Sequence, residues 1–208
     1  MKIIIISGTL AFLVLAGCQA ARQEEKLYPY PYDTAKITYE IKGSVEGSKT
    51  TFLKGNKSSV EIHQSRKTSG AVENLDSLII DAGEFIYQVD LDTKTGTINK
   101  NPVYQELKKI AAAQRQEFLE KLATGTVGEN NTKPNPKEQK EIAGQKCDLY
   151  AIEGFGEVCL WYGIPVYSRV EISGVSITET ATRIETNIEI ADQKFILPDG
   201  IKMQDLSK

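Results

Sequence analysis

The side chains able to carry chemistry are few: one histidine, His63, three cysteines, Cys18, Cys147 and Cys159, and 28 acids among 208 residues. Activating a serine would have to use His63, which sits in "SVEIHQS" beside Val60 and Ile62, and no G-x-S-x-G elbow accompanies it. Zinc asks for three or four nitrogen or sulfur ligands, beyond what a single histidine and a pair of cysteines supply. The stretch "DLDTKTGT", Asp90 to Thr97, has the acid spacing of a calcium loop, but the glycine of the EF-hand sixth position is Thr95 here. A hairpin turn accounts for it better. No spacing singles out a pair of carboxylates. The residue supply therefore points to no enzyme, no metal site and no cofactor.

Cys18 has a different setting. Lys2 is followed by an almost uncharged apolar run from Ile3 to Leu15, then Ala16, Gly17 and Cys18. This is the layout of a secretory signal peptide, and the run is shorter than the about 20 apolar residues that span a bilayer. The stretch "LAGC" resembles the bacterial lipobox. The resemblance implies a signal peptide over residues 1–17, cleavage before Cys18, and acylation of that cysteine on sulfur and amine. More than one acyl chain gives stable membrane anchoring. In enterobacterial lipoproteins an aspartate after the acylated cysteine retains the protein in the inner membrane. Gln19 stands there in this chain, so the same resemblance favours the outer membrane, facing the periplasm.

Losing residues 1–17 removes one lysine and no acid from the 25 basic and 28 acidic side chains, leaving a net charge of -4. A mildly acidic chain without a basic run has no electrostatic footprint for nucleic acid. In an exported protein, Cys147 and Cys159 are expected to form a disulfide. They lie on two apolar arms either side of Gly154 and Gly156, at nearly equal distances from that turn, which is the pattern of a hairpin.

Elements must position these residues. Residues 18–34 include "LYPYPYD", where alternating prolines favour extended geometry, and the segment reads as a tether holding a domain off the membrane. Residues 35–208 read as one mainly β domain. "ITYEIKGSV" alternates Ile37, Tyr39, Ile41 and Val45 against polar neighbours, and "KTTFLK", "SVEIHQS", "SLIIDA" and "EFIYQVDLD" continue an antiparallel meander. A helix is predicted from Pro102 to Ala123, with Asn101 as N-cap, Gly125 past its end, and Val103, Leu107, Ile110, Ala111, Phe118 and Leu122 as one apolar stripe. "TVGENNTKPNPKEQK" reads as an exposed loop. The last third returns to strands, including "IPVYSRVEISG", "VSITETATRIETNIEI" and "QKFILPDGIKM". The fold class is an antiparallel curved sheet or half-open β-barrel with one main helix packed on it.

A meander, a helix and a strand-rich second half ending in F-x-x-P-x-G (Phe195, Pro198, Gly200) is similar to the LolA and LolB lipoprotein-localisation superfamily. "AGQKCDLY" and "VCLWYGIPVYS" look like its bacterial relatives. The resemblance implies an incomplete barrel whose concave face, lidded by helix, takes an acyl chain or another apolar ligand. Of the two, LolB is anchored, as the lipobox requires here. It assigns no functional residue. Tyr39, Phe85, Tyr87, Val89, Leu107, Ile110, Phe118 and Trp161 are the residues expected to line such a pocket, and they would equally serve as core. Two function classes follow: a lipid- or acyl-chain-binding module, or a structural or assembly lipoprotein whose groove its own side chains fill.

Cys18→Ala is expected to keep the protein in its signal-bearing form or release it as soluble chain. Detergent partitioning decides this, and a variant that stays with membranes through a high-salt wash would refute the tether.

Overall fold

The computed structural model describes residues 25–68, 71–125 and 135–208. Cys18, the signal segment and most of the "TVGENNTKPNPKEQK" loop lie outside the described residues. The first half supplies β1 (Thr34–Gly43), β2 (Glu46–Lys54), β3 (Lys57–Thr68), β4 (Ala71–Asp81), β5 (Phe85–Asp90) and β6 (Thr95–Lys100). Two helices follow, α1 (Pro102–Lys109) and α2 (Ala112–Thr124). The second half supplies β7 (Glu138–Ile142), β8 (Gln145–Ile152), β9 (Gly156–Trp161), β10 (Ile164–Ile172), β11 (Val175–Thr186) and β12 (Lys202–Asp205). All join one sheet in the order β12-β6-β5-β4-β3-β2-β1-β11-β10-β9-β8-β7.

The two meanders meet at β1, which pairs with β2 on one side and β11 on the other. The strict alternation of β1 explains its place at the centre. Ala35, Ile37, Tyr39 and Ile41 are buried while Lys36, Thr38 and Glu40 are not. Val45, expected to continue that face, falls instead in the turn that Gly43 opens at φ 118°.

The sheet curls toward the face of Ile37 and Tyr39. Lys140 of β7 reaches within 5.5 Å of the Tyr167 ring of β10, although three strand spacings separate these strands, about 14 Å on a flat sheet. The inner wall gathers Ala35, Ile37, Tyr39, Leu53, Leu149, Trp161 and Val166 into one buried cluster. The segment after β11 covers the outer face. Ile190 and Phe195 pack on Phe52, and Leu197, Ile201 and Met203 pack on Leu78, Ile80 and Val89. "QKFILPDGIKM", expected as one strand, is thus a 3-10 turn at Asp192–Phe195, an irregular apolar cover, and then β12, which runs parallel to β6.

The predicted helix exists, divided in two. Ile110 and Ala111 are both extended, at φ -94°, ψ 150° and φ -63°, ψ 145°. Alanine-rich sequence would continue a helix here, so the break has a tertiary cause. Arg115, only 5% exposed, turns its guanidinium back and donates to the Leu107 carbonyl at 3.0 Å, satisfying one of the acceptors that the end of α1 leaves open. The predicted ends hold: the Asn101 side chain accepts from the Tyr104 N–H, and Gly125 is left-handed at φ 73°.

Cys147 and Cys159 form a disulfide on the inner wall, with Cα atoms 5.5 Å apart. The ladder sets Leu149 opposite Cys159, so the bridge runs diagonally between β8 and β9 rather than straight across. At the hairpin turn Gly156 has no substitute, because a Cβ there would meet the Arg169 carbonyl oxygen at 1.8 Å.

Reducing this bridge is expected to lower the unfolding free energy by about 3 kcal/mol in the chain-entropy account. Urea denaturation with and without reductant measures it, and a difference under roughly 0.5 kcal/mol would contradict a stabilising role.

Candidate functional site

The most distinctive arrangement in the molecule involves the tyrosine-proline segment, and it corrects the tether reading for residues 27–32. Leu27 and Tyr32 are buried, at 3% and 5% exposure. Tyr28, Tyr30 and Tyr32, separated by Pro29 and Pro31, stack as a ladder with ring centroids 5.6 and 5.6 Å apart, and Tyr32 stacks on Trp161 of β9 at 5.0 Å. The planes differ by 17°, 10° and 14°, so four rings lie nearly parallel. At the far end the Tyr28 hydroxyl donates to Asp81 Oδ2 of β4 at 3.0 Å. β4 and β9 are six strand spacings apart, about 29 Å on a flat sheet, and only the curl of the sheet brings both ends within reach of one short segment.

This strap is the middle layer of the molecule. Tyr32 belongs to the inner-wall cluster, Leu27 belongs to the helical cluster of Tyr104, Leu107 and Leu119, and Tyr30 packs against both. Two buried polar side chains clamp its start. Asn56, in the β2–β3 turn, accepts from the Leu27 N–H at 2.7 Å and donates to the Glu25 carbonyl at 2.7 Å. Arg115 donates to the Lys26 carbonyl at 3.1 Å and pairs with the Glu25 carboxylate at 2.7 Å. The guanidinium that breaks the helix is the one that holds the strap. Where α2 comes down on the β9–β10 turn, Gly163 makes room, since a Cβ there would lie 3.2 Å from Leu119 Cβ.

The expected pocket residues divide between two faces. Tyr39 and Trp161 stand on the inner wall, and Leu107, Ile110 and Phe118 stand in the helical cluster that touches Tyr28 and Tyr30. These five surround the strap. Phe85, Tyr87 and Val89 do not. Asp81, bonded to Tyr28, pairs with Ile86, so the odd-numbered residues of β5 point outward, where Val89 and Tyr87 pack with Leu78, Ile80 and Leu197. Period two shows which residues share a face, and β5 carries apolar side chains on both. The strap itself was the missed component. Its signal was three aromatic rings at alternate positions, as one-sided as any strand in the chain.

The cavities agree with this division. One of about 220 Å³ borders the strap, lined by Tyr30, Tyr39, Leu53, Val60 and Ile164. That is below the about 300 Å³ at which small-molecule pockets begin. A larger open depression of about 690 Å³ borders the strap at Pro29, with Gln116 and Glu120 of α2 and Tyr150 and Trp161 among its other walls. Another of about 710 Å³ on β4, β5, β6 and β12 includes Leu75, Ile79 and Met203 with Asp76, Asp90 and Asp92, and no metal-holding group of three His, Cys, Asp or Glu occurs among the described residues.

Register also places Ser48, His63 and Asp76 side by side on the outer face of β2, β3 and β4. His63 Nδ1 is 3.1 Å from Asp76 Oδ1, with side chains 57% and 41% exposed. The structure gives His63 no hydrogen bond with Ser48, and the neighbouring strand N–H groups are engaged in the ladder. The row lacks the desolvated oxyanion site that acyl transfer needs.

Burial raises the phenol pKa values of Tyr28, Tyr30, Tyr32 and Tyr39 well above the usual tyrosine range, and the nearby Asp81 carboxylate adds to the rise at Tyr28 and Tyr30. Burial likewise raises the pKa of Asp81, opposed by hydrogen bonds from the Gly83 N–H and the Tyr28 hydroxyl.

No protein-family model matches the chain, and no curated protein matches it by sequence. Among solved structures, an uncharacterized conserved protein from Thermus thermophilus is similar, with a TM-score of 0.51 at 9% identity over 84% of this chain and 91% of that one. This likeness concerns the fold. MucB matches at a TM-score of 0.37 and 10% identity over 85% of this chain and 62% of that one. The Pseudomonas aeruginosa MucA/MucB complex matches at 0.37 and 11% over 79% and 56%. This chain spans less than two thirds of those MucB chains, and at such scores they carry no weight here.

The buried phenols predict alkaline instability with a definite sign. The folded chain holds protons that unfolded tyrosine releases from about pH 10, so stability is intact below pH 10 and falls above it. By pH 11 each tyrosine that stays protonated in the fold should contribute about 1.4 kcal/mol of loss. Replacing Tyr28, Tyr30 and Tyr32 together by phenylalanine should remove about half of that slope in urea denaturations between pH 9 and pH 11, since burial also raises the phenols of Tyr39, Tyr150 and Tyr167. An unchanged slope would show that the strap phenols are not buried.

Proposed function

We propose that this protein is a membrane-anchored lipoprotein of the bacterial envelope, held by acylated Cys18, facing the periplasm from the outer membrane, and that its curved domain is a non-catalytic module binding an acyl chain or another apolar ligand on its inner face. One observation carries the reading. The inner wall of the sheet and the two helices meet across an interposed apolar segment with its own clamps, so the fold contains a groove that accepts an extended apolar occupant. The Cys147–Cys159 bridge stiffens its floor. The LolA and LolB resemblance, the lipobox, and the exposed, undesolvated setting of His63 support the same reading. No helix among the described residues is long and apolar enough to cross a membrane, which is compatible with anchoring by lipid.

A second reading has a specific observation in its favour. Between the strap and the wall at Tyr39 only about 220 Å³ is left, as expected of a structural or assembly lipoprotein whose core is built from its own N-terminal segment.

Native mass spectrometry separates the two. The chain from residue 18 onward with Cys18→Ala, exported behind a cleavable non-lipoprotein signal peptide, keeps every residue described above and is expected to carry co-purified lipid after isolation from the periplasm. Lipid-free protein that also takes up no added fatty acid would leave only the structural reading.

A further inference from the structure

The occupant of the groove has the properties of a ligand more than of a core. The hydrogen bonds to its main chain sit at its ends: at one, the Leu27 N–H to Asn56, Asn56 to the Glu25 carbonyl and Arg115 to the Lys26 carbonyl; at the other, the Lys26 ammonium to the Tyr32 carbonyl at 2.9 Å, the Gly55 N–H to the Asp33 carbonyl at 3.1 Å and the Asp33 N–H to Asn187 at 3.3 Å. Between them Pro29 and Pro31 have no N–H to offer, and extended proline-rich chain needs no internal hydrogen bonds in water. Its rings are phenols, which water solvates at the hydroxyl. The Tyr32 hydroxyl is buried with no hydrogen-bonding partner, a cost that release to water removes. Aromatic stacking and one Tyr28–Asp81 hydrogen bond hold what lies between the clamps.

What the strap would leave behind is apolar: Ile37, Tyr39, Leu53, Leu149 and Trp161 on the wall, facing Leu107 on the helices. The strap joins β1 directly at Thr34, so it can swing out about Asp33 without unpairing a strand. We infer that Leu27–Tyr32 is a built-in competitor for the inner groove, which an acyl chain must displace, and that Asn56 is the latch holding it shut. The inference rests on the binding-module reading above. It makes the chain that leads to the membrane anchor and the chain that closes the groove one segment.

Trp161 is the sole tryptophan and stacks on Tyr32 at 5.0 Å, so its emission reports whether the strap is seated. Palmitate, which does not fluoresce, is titrated into the residue 18 onward Cys18→Ala chain and into the same chain with Asn56→Ala, with affinity read by calorimetry. The Asn56→Ala chain is expected to bind at least tenfold more tightly, and palmitate is expected to change Trp161 emission in both. If Asn56→Ala does not fold, Tyr28→Phe, which removes only the hold on Asp81, should tighten binding several-fold. Equal affinities, or saturation with Trp161 emission unchanged, would overturn the latch and leave the binding module standing. No binding to any of these proteins would remove the binding module and the latch with it.

Discussion

Stacking of Tyr32 on Trp161 fixes how the two layers of this protein meet. A curved sheet with an apolar inner wall needs a partner for that wall, and between it and the helical cluster lies the strap. The strap supplies the missing thickness. It meets the wall at Tyr32, the helices at Leu27, and both at Tyr30. The helix break at Ile110 belongs to the same arrangement, because Arg115 satisfies the end of α1 and the start of the strap with one buried guanidinium.

A buried guanidinium is costly unless its donors are used, and Arg115 uses them on two carbonyls and the Glu25 carboxylate. Asn56 solves the same problem in neutral form. The strap is thus tied at its start by strong, directional contacts and along its length by rings. The outer face is built otherwise. Ile190, Phe195, Leu197 and Met203 cover it with apolar packing, and its polar ties come from lysines: Lys54 donates to the Ile190 carbonyl at 3.2 Å and pairs with Asp192 at 2.7 Å, and Lys194 pairs with Glu61 at 2.6 Å.

Much of the fold was legible because strand alternation is local. Ile37, Tyr39 and Ile41 announce β1, and Gly154 and Gly156 between the two cysteines announce the β8–β9 hairpin and its bridge. What escaped was set at long range. The tyrosine-proline run has the same local geometry packed or free, and only the curl of a sheet built from much later residues decides which. The division of the helix depends on Arg115 finding the Lys26 carbonyl and the Glu25 carboxylate some 90 residues earlier. Phe85, Tyr87 and Val89 share a face as their spacing requires, yet which face is inner follows from the C-terminal cover, which claims the other side. Of the site, the helical residues and Trp161 were readable as apolar positions; their common neighbour was not.

The central claim is that the strap is seated in the groove, and the amide exchange of Leu27 tests it most directly. This N–H is buried and bonded to Asn56 at 2.7 Å. Hydrogen exchange read by NMR or by peptide mass should find it slowed by at least about 100-fold relative to an unstructured peptide, as expected for an amide that exchanges only through opening. Exchange at the unstructured rate, with β1 protected, would show a free tether and contradict the account.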